Sequence, residues 1–187
     1  MRKLLILGAG GYGQTILDLA EQLGCYDKIA FLDDGKVGPG VLGTCAEYTM
    51  FADEDTEVYP AFGNNEIRMR WLELLEDEGI TVPSLIHPRA YVSPKAKLGV
   101  GSTVLPMAAV NTGVSVGNGC IINIGALVDH DTVIEDGVHL APGAIVKAEN
   151  RIAAMQKINS GTIIENRDDI NCLPLANKSV SVISIKK

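Results

Sequence analysis

The chain has 187 residues, of which 47% are hydrophobic, enough for one large domain or two small ones. A net charge of -7 without a basic stripe excludes a nucleic-acid-binding protein. The sequence also lacks an apolar run of about 18 residues and a signal-peptide pattern, so we expect no membrane partner and a cytoplasmic location.

The first 85 residues have the pattern of a small α/β domain. The apolar residues 3–7 predict a strand, the glycines of residues 8–13 a turn, and the following helical spacing a helix that ends at Gly24. Further strands are predicted at residues 29–32 and 58–62, and a helix follows. This order predicts half of a doubly wound Rossmann sheet, with residues 39–43 and 53–57 as loops.

Ligands of such sheets bind at the carboxyl ends of the strands. Glycines let a phosphate approach the amino end of a helix, and Asp33 has the spacing of a ribose-binding carboxylate. One half-Rossmann unit leaves no place for a nicotinamide, so a nucleotide is favoured over NAD and over a purely structural turn. The candidate substrate-binding residues are Gly8, Gly10, Gly11, Gly13, Asp33, Asp34, Gly63, Asn64, Asn65 and Arg68.

Several of these residues have simpler explanations. Asp33 and Asp34 could only terminate a strand, and Arg68 could belong to a solvated helix face. The four cysteines, Cys25, Cys45, Cys120 and Cys172, form no CxxC pair, so we expect buried free thiols and no metal site.

A six-residue repeat fills the second half of the chain. From Val92 to Ile170 an aliphatic residue stands at every sixth position, and a small or β-branched residue usually follows four positions later. This period predicts a parallel β-helix over residues 86–187, with three flat sides per coil and both residue sets pointing inward. The fold class is therefore α/β plus all-β.

The repeat weakens after about residue 146, where larger polar residues replace the small ones and glycines become rare. The last coils are therefore expected to be irregular and partly helical around residues 152–157. The alternating residues 180–185 are expected to form a terminal strand.

Together, the glycine turn and the repeat resemble the sialic-acid O-acetyltransferase and bacillosamine N-acetyltransferase group of hexapeptide-repeat acyltransferases. The resemblance depends on Leu7-Gly8-Ala9-Gly10-Gly11-Tyr12-Gly13, Phe31-Leu32-Asp33-Asp34, Phe62-Gly63-Asn64-Asn65-Glu66-Ile67-Arg68 and Leu85-Ile86-His87-Pro88. It depends above all on the stretch from Ile122-Asn123 through Val128-Asp129-His130-Asp131 to His139-Leu140-Ala141-Pro142-Gly143-Ala144. It implies a left-handed β-helix, a homotrimer, and acetyl-CoA-dependent acetylation of an amino or hydroxyl group of a sugar, often a nucleotide-linked 4-amino sugar.

Acetyl transfer to an amine needs a base that titrates near neutral pH, and the chain has only three histidines. His130 is the best candidate because Asp131 follows it, although the shorter Asp in place of Glu leaves their contact open. The resemblance gives His130 the role of base and places Asn123 beside the acceptor amine. It places His139, Gly143 and Ala148 at acetyl-CoA, whereas His87 is expected to be structural.

His130 and His139 are nine positions apart, half a circuit of the predicted coil, so they should face different ways. If both act in one site, neighbouring subunits supply them, which predicts intersubunit active sites. Two alternatives are a non-catalytic nucleotide-sugar-binding relative that has lost acyl-CoA binding and, less plausibly, a dinucleotide-dependent enzyme.

Overall fold

A computed structural model describes residues 1–165 of the chain. The chain forms two compact units, Met1–Pro88 and a second that begins at Arg89, so the boundary lies just beyond the expected position at residue 85. The terminal strand expected at residues 180–185, the last aliphatic position Ile170 and Cys172 lie outside the described residues.

A four-stranded parallel sheet forms the centre of the first unit. Its strands are β1 (Lys3–Leu7), β2 (Lys28–Leu32), β3 (Val41–Gly43) and β4 (Thr56–Pro60), in the order β3-β2-β1-β4. Leu7 is in register with both Leu32 and Pro60. The carboxyl ends of the three longer strands therefore meet at one edge of the sheet, as the sequence pattern predicts.

Three helices accompany this sheet: α1 (Gly11–Leu23), α2 (Tyr48–Phe51) and α3 (Asn65–Asp77); a 3-10 turn, Cys45–Glu47, precedes α2. Helix α1 buries Ile16, Leu19 and Ala20, and it ends where Gly24 adopts a φ of 63°, a left-handed conformation that favours glycine. The short strand β5 (Leu85–Ile86) lies near the end of the unit.

Two loop predictions in this unit are wrong. Val41–Gly43 forms the edge strand β3, which is stabilised by hydrogen bonds to β2. A segment of three residues is too short to show the alternating pattern from which a strand is predicted. Strand β4 also begins at Thr56 rather than at residue 58, so Glu57 belongs to the sheet and not to a loop.

The second unit is a parallel β-helix of two-residue strands. The first face contains β6 (Tyr91–Val92), β9 (Ala109–Val110), β12 (Leu127–Val128), β15 (Ile145–Val146) and β18 (Ile163–Ile164). The second face contains β7 (Lys97–Leu98), β10 (Ser115–Val116), β13 (Val133–Ile134) and β16 (Arg151–Ile152). The third face contains β8 (Thr103–Val104), β11 (Ile121–Ile122), β14 (His139–Leu140) and β17 (Lys157–Ile158).

Both predicted sets of inward residues form the core of this β-helix. The aliphatic set includes Val110, Val128 and Leu140, and the small set includes Ala126 and Ala144; all are at most 2% exposed. Such close packing of small side chains lets each coil cover the apolar face of its neighbour.

The coils stay regular beyond residue 146, so the helix expected around residues 152–157 is wrong. Strands β16, β17 and β18 keep the six-residue spacing, and Ile152 is buried. Glu149 and Met155 adopt φ values of 58° and 64° at the corners, so glycine is not required there. The loss of glycines therefore does not end the β-helix.

The cysteines follow the expectation only in part. Cys45 and Cys120 are buried, whereas Cys25 is exposed because it follows the end of α1. Over residues 1–165, no helix is long and apolar enough to cross a membrane. Within the same range, no three His, Cys, Asp or Glu side chains are grouped as metal ligands.

Candidate active site

His130 lies at the corner between the first and second faces of the β-helix, two residues after the end of β12. Its Nδ1 is 2.9 Å from Asp131 Oδ2, so the shorter Asp does reach the imidazole. The His130 side chain keeps 43% of its surface exposed. Because a carboxylate only accepts hydrogen bonds, Nδ1 carries the proton and the lone pair is on the exposed Nε2. This is the arrangement that a general base needs.

The charges around His130 favour its protonated form. The hydrogen bond to Asp131 is the main cause that raises the pKa of His130, and the negative charges of Asp129, Asp131 and Glu149 add to it. The imidazolium that forms when His130 accepts a proton is therefore stabilised.

Asp129 is a site residue that the sequence patterns did not single out. Its Oδ1 accepts hydrogen bonds from His130 N at 2.7 Å and from Asn111 Nδ2 at 3.0 Å, and this fixes the backbone of His130. The His130 N–H is also the main cause that lowers the pKa of Asp129. The sequence signal that could have identified Asp129 is its spacing of one coil from Asn111, which places two polar residues at the same corner position.

An open groove of about 450 Å³ runs along the first face beside this corner. Its outer wall is formed by the outward residues Tyr91, Ala109, Leu127 and Ile145, and Asn111, Asp129 and Lys147 line its edge toward His130. Tyr91 and Leu127 are exposed large hydrophobic residues. The groove therefore offers an apolar surface next to the candidate base.

His139 lies on the third face, in strand β14, so it does face a different way from His130, as predicted. Asn123 Nδ2 donates a hydrogen bond to His139 Nε2 at 3.1 Å, which brings two predicted site residues together. His139 is only 8% exposed. Gly143 lies at the corner between the third and first faces with a φ of 69°, and Ala148 lies one coil beyond His130.

In the first unit, the glycines divide into two kinds. A Cβ at Gly13 would lie 1.9 Å from the carbonyl oxygen of Gly8, so Gly13 allows α1 to pack closely on β1. A Cβ at Gly10 or Gly11 would meet nothing within 4 Å. Only the latter two leave open backbone at the start of α1, the position for which the sequence predicts a phosphate contact.

The acidic residues at the end of β2 hold loops in place. Asp33 accepts hydrogen bonds from the N–H groups of Ala9 at 2.7 Å, Gly35 at 2.9 Å and Lys36 at 2.7 Å. The Ala9 N–H is the strongest cause that lowers the pKa of Asp33. Asp34 accepts from the N–H of Cys45 at 2.8 Å. The Asp33 carboxylate therefore holds the glycine turn and the loop after β2 in place, and its contact with a ribose stays a prediction.

The residues after β4 also support local structure. Asn64 caps α3 by accepting from Ile67 N at 3.0 Å, while Gly63 lies in the turn before it. Arg68 is fully buried, which corrects both expectations for it, the solvated helix face and the phosphate contact. Its guanidinium donates to the Phe62 carbonyl at 2.8 Å and to Asn65 Oδ1 at 2.9 Å.

The third histidine is structural, as expected. His87 is 3% exposed, and its Nε2 donates to Gln22 Oε1 at 2.9 Å. It therefore contributes a contact to the fold of the first unit and no accessible nitrogen.

A parallel β-helix with an exposed histidine–aspartate pair beside an apolar groove defines the class of hexapeptide-repeat acyltransferases. Comparisons with known proteins agree with this class. Residues 3–75 match the family of the PglD N-terminal domain. The acetyltransferase domain of PglB from Neisseria gonorrhoeae FA1090 has 38% identity and a TM-score of 0.86, over 89% of this chain and 84% of that chain.

The same domain in complex with acetyl coenzyme A matches at 39% identity and a TM-score of 0.85, over 89% of this chain and 83% of that one. A mutant of perosamine N-acetyltransferase from Caulobacter crescentus, in complex with CoA and GDP-perosamine, shares the fold at 24% identity and a TM-score of 0.78, over 88% of this chain and 89% of that one. The chain belongs to the bacillosamine N-acetyltransferase group of hexapeptide-repeat acyltransferases, and its β-helix is left-handed.

Proposed function

We propose that this chain transfers the acetyl group of acetyl-CoA to an amino group of a nucleotide-linked sugar, most favourably a 4-amino sugar, in cytoplasmic glycan biosynthesis. The observation that carries the proposal is the hydrogen bond between His130 Nδ1 and Asp131 Oδ2 on an open corner of the β-helix. The relationship to the PglB acetyltransferase domain supports acetyl-CoA as the donor.

The chemistry follows from the geometry of this pair. As the sugar amine attacks the thioester carbonyl, His130 Nε2 accepts the amine proton, and Asp131 stabilises the resulting imidazolium. The new C–N bond forms, the C–S bond breaks, and the CoA thiolate leaves with the proton that the imidazolium returns. A hydroxyl acceptor would need the same base.

The binding surfaces are assigned to the two units separately. The open backbone at Gly10 and Gly11, at the start of α1, would receive the phosphates of the nucleotide. The groove on the first face, with Gly143 and Ala148 at its corners, would receive the acetyl end and pantetheine arm of acetyl-CoA.

The active unit proposed is a homotrimer with intersubunit sites. His130 lies at the corner between the first and second faces and His139 on the third face, so one chain cannot direct both at one acyl group. The exposed Tyr91 and Leu127 on the first face favour contact with another copy. The non-catalytic alternative depended on degenerate last coils, but the coils are regular through Ile164.

Release of CoA thiol tests the reaction. The assay combines the protein with acetyl-CoA and a panel of UDP-, GDP- and dTDP-linked amino sugars and free sialic acid. The His130→Ala variant should lose about 10²- to 10⁴-fold in kcat, the usual contribution of a general base. Acetyl-CoA should also raise the melting temperature of both proteins, whereas NADH should not. An active His130→Ala protein would exclude His130 as the base.

Mixing two inactive variants tests the intersubunit site. His130→Ala and His139→Ala chains, co-expressed with different tags, should regain activity in mixed trimers, because about a quarter of the sites then combine two intact histidines. If each site lay within one chain, no mixture would be active. Full activity of the pure His139→Ala protein would remove His139 from the site.

A further inference from the structure

The corner at Lys147 and Ala148 differs from the two equivalent corners below it. In those corners the side chain of the first residue accepts a hydrogen bond from the next N–H: Asn111 Oδ1 from Thr112 N at 2.7 Å, and Asp129 Oδ1 from His130 N at 2.7 Å. Lys147 has no such acceptor, and within residues 1–165 the N–H of Ala148 donates no hydrogen bond. Ala148 is half-buried between the exposed residues Lys147 and Glu149, so this corner is open to a ligand.

The carbonyl of the same peptide is held inside the β-helix by two buried side chains. Thr132 Oγ1 donates to the Lys147 carbonyl at 3.0 Å, and Asn150 Nδ2 donates to it at 2.9 Å. Because a trans peptide is planar, its C=O and N–H point in opposite directions. Fixing the Lys147 carbonyl inward therefore fixes the Ala148 N–H outward.

Asn150 is an unfavourable residue for the interior of this fold. It takes the inward position that Val138 and Ala144 occupy in the preceding corners, and it is 2% exposed. Over the described part of the chain its Oδ1 has no hydrogen-bond partner. A buried unpaired amide oxygen costs free energy that a small apolar residue would avoid. Stability alone does not explain an asparagine at this position.

We propose that Thr132 and Asn150 are positioning residues that aim the Ala148 N–H at the thioester carbonyl, where it stabilises the oxyanion that forms during acetyl transfer. This inference depends on the proposed function, because it needs a thioester in the groove. The donor costs no reorganisation during the reaction, since its peptide is already fixed from within the coil.

Asn150→Ala, with Ser102→Ala as its matched control, tests the positioning role. Ser102 Oγ donates to the Gly117 carbonyl at 2.7 Å, across the same sequence separation as Thr132 and Lys147 but at a corner without site residues. Asn150→Ala should lower kcat about tenfold or more with little change in the KM for acetyl-CoA, since one fixed oxyanion donor is worth about 10²- to 10³-fold. Ser102→Ala should lose stability but not kcat. If Asn150→Ala and Ser102→Ala changed kcat by the same factor, Asn150 would have only a structural role.

A second pair of variants tests the N–H itself. Lys147→Asn introduces an oxygen at the position from which Asn111 and Asp129 accept the next N–H, whereas the similarly shaped Lys147→Leu only removes the ammonium group. The Asn variant should have a kcat about a hundredfold below that of the Leu variant. Equal kcat values, in an enzyme that still needs His130, would overturn this inference alone. A wild-type protein that releases no CoA thiol would overturn the proposed function first.

Discussion

The two units of the chain use polar side chains in opposite ways. In the first unit, the predicted ligand-binding residues Asp33, Asp34 and Arg68 each form a hydrogen bond with the backbone of a nearby loop. In the β-helix, His130 and Asp131 stay exposed and are bonded to each other.

This difference has a physical cause. A loop between a strand and a helix leaves backbone N–H and C=O groups that side chains must satisfy. The β-helix satisfies most of its corner backbone by stacking one coil on the next, as in the bonds from Asp131 N to Thr112 O and from Glu149 N to His130 O. Its corner side chains are therefore available for chemistry. A polar corner residue that departs from the repeat thus indicates a functional site more directly than a polar loop residue of the first unit does.

The largest effect is expected where a charge enters the core of the repeat. Val128→Asp should prevent folding of the β-helix, because Val128 is 2% exposed and an unpaired carboxylate there costs several kcal/mol or more. Leu127→Asp, on the outward side of the same strand, should leave a folded chain and instead weaken formation of the proposed trimer. Circular dichroism and light scattering separate the two outcomes. A folded Val128→Asp protein would contradict the assignment of the inward face.

A second comparison distinguishes structural from ligand-facing glycines in the first unit. Gly13→Ala should destabilise this unit strongly, because the new Cβ would lie 1.9 Å from the Gly8 carbonyl oxygen. Gly11→Ala should leave the melting temperature nearly unchanged, since its Cβ meets no atom within 4 Å. It should instead raise the KM for the nucleotide sugar at least several-fold. An unchanged KM would place the nucleotide away from the glycine turn.

The core of the β-helix could be predicted from the sequence because one constraint, an aliphatic residue at every sixth position, decides both the fold and the buried face. The glycine spacing also located the start of α1. The left-handed conformations of Glu149 and Met155 could not be predicted, because these residues rarely adopt positive φ and only the stacked coils impose it.

The roles of polar residues were harder to predict than their positions. Arg68 carries a charge that favours a solvated position on α3, and only the three-dimensional path of the Phe62–Asn65 turn shows that it is buried. Asp129 likewise gave no signal in isolation, since its bonds to His130 and Asn111 join two coils. The His130–Asp131 pair was accessible to sequence reasoning because its partners are adjacent.

The smallest expected effect concerns the pH dependence of the proposed reaction. The base must be neutral to accept a proton, so kcat/KM falls as the pH falls through the pKa of His130. Asp131 raises that pKa chiefly through its hydrogen bond, so Asp131→Asn should move the acid limb of the kcat/KM profile to lower pH. The plateau should fall less than in His130→Ala, because the base itself remains.

Glu149→Gln is the matched control, since it removes one nearby negative charge that also raises the pKa of His130, though less than the Asp131 hydrogen bond does. Its acid limb should move in the same direction by a smaller amount. An acid limb that stays in place in Asp131→Asn, or moves to higher pH, would show that a group other than His130 controls the rate. If the acid limb moved as far in Glu149→Gln as in Asp131→Asn, the raised pKa of His130 would come from the negative charges around it rather than from the hydrogen bond to Asp131.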